Sequence, residues 1–317
     1  MSHSSKRLLF PAVALLAAAS SSCIYDDLPP CDDGKIEITI VNDWRFAPEA
    51  DPEGMAYIFC REGIVSPWRF DFPGRDAGKV ALPTGDYRLI LYNDDTSDIL
   101  FKTLEGGIPF VTTSSEKMSI DDRIIYPLEA PDMMWGTAVS NLRISADGVE
   151  YTSPDSVSVT DERFVIRTFP RQLTPCYTVK VIHVDNLQGV AAMKGIISGM
   201  SSGIDLSDDT PLETEAEISF TPHTEPDSAL DAEFHTFGRP SGHEVTNTLR
   251  LYFRLSDGRI LCRSFDVTDA VTDAPDPMNV KIVIDSISLP YAPPPSSPGA
   301  FDPNVAGWTT VIVNIET

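Results

Sequence analysis

The chain is a succession of short segments in which apolar and polar residues alternate, and that pattern closes off most folds. Residues 35–41 (KIEITIV), 55–60, 68–72, 79–82 and 86–92 each alternate with period two, and each is bounded by Pro, Gly, Asn or Asp. Side chains of a strand point to opposite faces in turn, so a period of two reads as a half-buried strand, whereas an amphipathic helix needs 3.6. Further strand-like runs fall at 99–104, 117–120 and 156–160. A second set covers 177–184 (YTVKVIHV), 191–198, 215–220, 248–255, 259–267 and 279–287. Ser256-Asp257-Gly258-Arg259 between two of these is a hairpin signal, because Asp-Gly tolerates positive φ. The stretch 81–87 (ALPTGDY) also reads as two strands about a tight turn. Many short strands with no intervening helical pattern predict an all-β chain of antiparallel β-sandwich type.

At 317 residues the chain has room for about two such domains, and 42% hydrophobic residues suffice for a core in each. Residues 163–175, with Pro170 and Pro175, read as the junction. The expected domains are 35–172 and 173–317. Lys and Arg number 24 against 47 Asp and Glu, a formal charge of −23. Such a surface repels phosphate backbones, which excludes nucleic-acid binding by counterion release.

The N-terminus carries an address. Lys6 and Arg7 precede an apolar run over 8–19, and Ser20, Ser21 and Ser22 lead to Cys23. A basic start, about a dozen apolar residues and a small-residue break form a secretory signal. The run is too short for a bilayer core of about 30 Å, which takes about 20 apolar residues. Ordinary secretion with cleavage in the Ala/Ser stretch is one reading. A Cys directly after small residues, however, resembles a bacterial lipobox. Residues 1–22 are then a lipoprotein signal peptide, and the Cys23 thiol is the lipidation site. Loss of Lys6 and Arg7 with that segment, which holds no acid, takes the formal charge from −23 to −25. One acyl chain holds only marginally at about 0.8 kcal/mol per buried methylene, while two or three attach durably. Residues 23–34, with Pro29, Pro30 and four Asp, read as a tether. Asp26 and Asp27 resemble the acidic tag that sends Bacteroidetes lipoproteins to the cell surface. The expected location is the outer membrane, anchored in its lipid and surface-exposed.

Four cysteines remain: Cys31, Cys60, Cys176 and Cys262. An exported compartment permits disulfides, and pairing Cys31 with Cys60 and Cys176 with Cys262 keeps each bridge within one domain. All but Cys31 sit in apolar strand-like runs, where a buried free thiol is equally natural. Their spacing matches no zinc pattern.

Candidate chemistry is thin. Gly199-Met200-Ser201-Ser202-Gly203 has the G-x-S-x-G form of a nucleophile elbow, but an elbow needs a helix directly after the serine. Ile204 to Pro211 is poor helix material, so a turn after a strand is expected. His223, His235 and His243, with Glu225, Glu233 and Glu244, lack a zinc-binding spacing and read as a polar loop. Asp94, Asp95 and Asp98, and likewise Asp205, Asp208 and Asp209, offer hard oxygens without the spacing of a calcium loop. No catalytic residue, metal site or cofactor is expected. Trp44, Trp68, Trp135 and Trp308 are the aromatics able to stack on sugars, although Trp68 and Trp308 lie in strand patterns that favour core packing. Residues 291–298 (YAPPPSSP) form a polyproline-prone connector. Residues 308–315 (WTTVIVNI), the most β-prone stretch, must close a sheet or pair with another subunit, since an unpaired edge of this kind aggregates.

The order of motifs resembles a family of Bacteroidales lipoproteins of unknown function, related to fimbrillin-type adhesins and fimbrial anchor lipoproteins. It is carried by Asn42-Asp43-Trp44, Ala47-Pro48-Glu49-Ala50, Pro52-Glu53-Gly54-Met55, Leu82-Pro83-Thr84-Gly85-Asp86-Tyr87, Tyr92-Asn93-Asp94-Asp95-Thr96 and Ser198-Gly199-Met200. Asp257-Gly258, Asp266-Val267-Thr268 and Phe301-Asp302-Pro303-Asn304-Val305-Ala306-Gly307-Trp308 complete it. The resemblance implies two tandem transthyretin-like β-sandwich domains, no known catalytic activity, and fimbrial or other surface protein subunits as partners. Shaft subunits of that superfamily are trimmed at an Arg, and Arg163, Arg167 and Arg171 lie near the junction. Anchor subunits keep their final strand folded in, and this chain is expected to be an anchor or accessory subunit ahead of a shaft subunit. The competing expectation is a glycan-binding surface lipoprotein of a polysaccharide-uptake system.

Overall fold

A computed structural model describes residues 34–61, 66–103, 109–120, 123–152, 163–226 and 229–294. Cys23, Cys31, the tether, the 156–160 run, Trp308 and the 308–315 strand lie outside them.

The first half runs β1 (Lys35–Asn42), β2 (Gly54–Cys60), β3 (Trp68–Pro73), β4 (Lys79–Pro83), β5 (Gly85–Asn93), β6 (Leu100–Thr103) and β7 (Pro109–Thr112). It continues through β8 (Met118–Ile120), β9 (Arg123–Ile125), β10 (Leu128–Glu129), β11 (Trp135–Ser145), β12 (Gly148–Glu150), β13 (Val165–Thr168) and β14 (Arg171–Gln172). The sheet β12-β11-β5-β2-β3 packs against the sheet β13-β1-β4. Ile38, Ile40, Val80, Leu82 and Ile166 of the small sheet meet Met55, Tyr57, Phe59, Leu89, Leu91 and Leu142 of the large one, all buried.

The second half runs β15 (Cys176–Val181), β16 (Val184–Asp185), β17 (Val190–Ser201), β18 (Ile204–Asp205), β19 (Thr210–Pro211), β20 (Glu215–Phe220), β21 (His223–Glu225) and β22 (Ala229–His235). Then come β23 (Thr248–Leu255), β24 (Ile260–Asp266), the single helical turn α1 (Thr268–Thr272), β25 (Asn279–Ile284) and β26 (Ile287–Ser288). Here β10-β20-β17-β23-β24 faces β21-β22-β15-β25 across a second core built on Tyr177, Val179, Ile197, Met200, Ile218, Phe234, Leu249, Leu251 and Phe253. The predicted hairpin joins β23 to β24, with Gly258 at φ 89 and Leu255 N–H donating to the Arg259 carbonyl.

The architecture is all-β, as expected, but pairing departs from a purely antiparallel scheme. Among the described residues β1–β13, β10–β20, β15–β25 and β16–β26 are parallel. Each joins strands far apart in sequence, where a crossover replaces a hairpin, and alternation alone carries no information about that choice.

The two halves also trade strands across the 172/173 boundary. β10 of the first half extends the sheet of the second beside β20. β18 of the second pairs with β7, giving a sheet β19-β18-β7-β6 that belongs to both. Gly203 permits this approach: a Cβ there would stand 2.1 Å from the Val111 carbonyl oxygen. Between the halves lies a junction core of Ala56, Ile90, Tyr92, Ile99, Val111, Met134, Leu173, Ile204, Leu206 and Phe237. β2 and β5 are therefore buried on both faces.

Candidate functional site

The residues with catalytic spacing are occupied structurally. Ser201 ends β17 fully buried, its Oγ 2.7 Å from the Gly203 carbonyl oxygen and 2.9 Å from that of Leu212. The chain continues into β18 instead of a helix, so the serine has neither exposure nor a strained turn. His223 and His235 lie on the paired strands β21 and β22, not in the polar loop expected of them, while His243 Nε2 meets Glu215 Oε1 at 3.0 Å in an exposed contact. Burial pulls the His235 pKa below its ordinary value. Asp205 accepts from Ser207 N–H, Asp208 from Thr210, and Asp95 from Glu53 N–H and Asn93. These carboxylates close turns and loops. No group of His, Cys, Asp and Glu fit to hold a metal occurs among the described residues.

Cys176 and Cys262 are not bridged to each other, and Cys31, the proposed partner of Cys60, lies outside the described residues. Cys176 opens β15 in one sheet and Cys262 sits exposed on β24, the edge strand of the facing sheet. The core between those sheets separates them. Burial raises the pKa of Cys60 and Cys176, which keeps them as thiols.

The three described tryptophans pack on the first core, and Trp308 lies outside the described residues. Trp44 is buried in the first core, its Nε1–H donating to the Arg75 carbonyl at 2.9 Å and its face covered by the Arg75 guanidinium at 5.1 Å. Trp68 and Trp135 are half-buried against the same core. The exposed large apolar side chains are others: Phe46, Leu100, Phe101, Ile124, Tyr126, Val283 and Tyr291. Leu100 and Phe101 lie on β6, an edge of the shared sheet, with Phe101 stacked on Tyr92 at 4.5 Å. Of the three arginines near the boundary, Arg163 is exposed, while Arg167 and Arg171 are half-buried within β13 and β14.

Two polar contacts at the junction have no simple motif in the sequence. Glu116, buried, meets Lys194 of β17 at 2.6 Å and accepts from Ser219 Oγ of β20 at 3.2 Å. Just beyond it, β8 and β9 lay Met118, Ile120 and Ile125 over Ile196, Tyr252 and Ile260, so the first half covers the outer face of the second half's sheet. In the reverse direction, Asp209 of the β18–β19 turn reaches β11 and accepts from Ala138 N–H at 3.1 Å. Gly203 and the unbroken apolar runs in β2 and β5 were the available signals that surfaces meet here.

The profile of a family described as Domain of unknown function (DUF5119) matches residues 22–221, past the boundary and through β20. Among solved structures, a candidate adhesin of Bacteroides ovatus is 19% identical at a TM-score of 0.57, covering 90% of this chain and 100% of the other. The fimbrial anchor protein Mfa2 of Porphyromonas gingivalis is 14% identical at a TM-score of 0.45, covering 78% of this chain and 90% of the other. A candidate adhesin of Bacteroides thetaiotaomicron is 13% identical at 0.48, covering 80% and 91%. At these identities the likeness is one of fold, and the first of the three carries it. No curated protein matches the chain.

Proposed function

We propose that this chain, which belongs to the DUF5119 family, is a surface lipoprotein acting in adhesion or as a fimbrial anchor or accessory subunit, through protein–protein contacts. The observation that carries the reading is the fold held in common with a candidate adhesin along 90% of this chain and the whole of that one. A fold does not dictate a function, so the address and the surface must support it too. Cys23 behind its apolar run supplies a lipid anchor in the outer membrane. The acidic body, at −25 once residues 1–22 are removed, keeps the protein soluble and off anionic headgroups. The partners are fimbrial or other surface protein subunits, and the strand-prone 308–315 segment and the exposed apolar side chains of β6 are candidate contacts. Burial of Trp44 and the half-burial of Trp68 and Trp135 disfavour stacking on a glycan.

Cross-linking on intact native cells, followed by pull-down of the tagged full chain, tests the reading. The expected product is a ladder of β-sandwich subunits that disappears in Cys23→Ala, with the variant recovered from the soluble fraction. Recovery with an outer-membrane transporter or with polysaccharide, and no subunit ladder, would overturn it.

A further inference from the structure

The turn between β18 and β19 carries the second half into contact with the first. Leu206, its first residue, is buried in the junction core and donates its N–H to the Pro109 carbonyl. Asp209 holds a left-handed backbone, φ 60, which short polar side chains tolerate better than others. That geometry turns its carboxylate toward β11. β11 pairs with β14 at Trp135 and Gly136 and with β12 from Arg143 onward. Between those contacts, the Ala138 N–H is taken by Asp209 Oδ2. The other oxygen, Oδ1, is buried and completes no hydrogen bond of normal geometry, although the equally buried Thr137 hydroxyl stands beside it as a donor.

A buried carboxylate with one oxygen unmet is costly as an anion and much less so as a neutral acid. We infer that Asp209 is a proton-sensitive latch between the halves, holding the β18–β19 turn on β11 more tightly as the surroundings become mildly acidic.

Three elements pack against the carboxylate, and their charges set the balance. Arg171 of β14 favours the anion, as do the Ala138 N–H and Thr137 of β11, while Asp208 on its own turn opposes it. Burial outweighs them and pushes the Asp209 pKa up to about 6 from its ordinary 3.8. The sign follows from linkage. A group whose pKa is raised in the closed state binds more protons there, so closure strengthens as pH falls through about 6 and levels off below 3.8. Between pH 7.5 and pH 5 the closed state gains about tenfold over the open one.

The readout is hydrogen exchange at the Ala138 amide in the intact protein, as a protection factor corrected for intrinsic exchange. Protection about tenfold higher at pH 5 than at pH 7.5 is expected. Asp209→Asn should flatten that dependence while keeping the amide protected, because an amide oxygen still accepts from Ala138. Asp208→Asn, a change on the exposed neighbour, should leave a strong dependence in place. A wild-type protection factor that ignores pH, or one that varies equally in Asp209→Asn, would overturn the assignment.

Discussion

Phe237→Ala is expected to lower the stability of the whole molecule by about 3–5 kcal/mol, the range for emptying an aromatic site in a packed core. Phe237 follows β22, has no solvent exposure, and packs into the core that neither half owns. Ala56, Ile90 and Tyr92 come to it from the outer face of the first half's large sheet, and Ile204 and Leu206 from the turn region of the second. A cavity there removes contacts from both sides at once. The checkable signature is a single denaturant transition whose midpoint falls while its slope holds, since the surface exposed on unfolding is unchanged. Two separated transitions, with only the second half weakened, would mean that the junction core does not couple the halves.

Glu116→Ala has the second largest expected effect, a loss of roughly 2–4 kcal/mol. Glu116 is buried and Lys194 keeps about 19% of its side chain in solvent, so the stranded ammonium recovers part of its hydration and the cost falls below that of a fully buried pair. Removing both charges together, as in Glu116→Leu with Lys194→Met, should restore most of the loss, because an apolar pair of similar volume carries no desolvation penalty. The double-mutant cycle in thermal or chemical denaturation measures the coupling directly. A double variant as unstable as Glu116→Ala would assign the effect to packing around β8 and β9 instead of to the ion pair.

The strands were legible because one face of most of them meets solvent. Lys35–Asn42 and Lys79–Pro83 alternate in burial as they alternate in sequence. β25, read only as strand-like, is also alternately exposed and buried. β2 and β5 correct the alternation expected over 55–60 and 86–92. Their MAYIF and LILY runs carry no polar residue at alternate positions, and the structure buries both faces. Such runs are the mark of a strand sandwiched between two layers, and with Gly203 they are the features of the sequence that bear on a shared junction core. The parallel pairs and the strand trade were not legible, because period-two patterning fixes which face is apolar and leaves the choice of neighbour to tertiary packing. Asp209 was visible only as a member of an acidic group. Its selection over Asp205 and Asp208 depends on a backbone turn that places one carboxylate inside and two at the rim. The cysteines illustrate the same limit: Cys176 and Cys262 sit in similar apolar runs, yet they belong to different sheets with a core between them.

The central claim is that a lipid-held, two-part β-protein serves attachment at the cell surface through protein contacts. The most direct measurement deletes the gene in its native host and scores adherence and surface fibres, with complementation by the wild-type chain and by Cys23→Ala. The account predicts that adherence or fibre number falls on deletion and returns with the wild-type chain but not with the unanchored variant. Unchanged adherence and fibres, together with failure to grow on a polysaccharide, would contradict it.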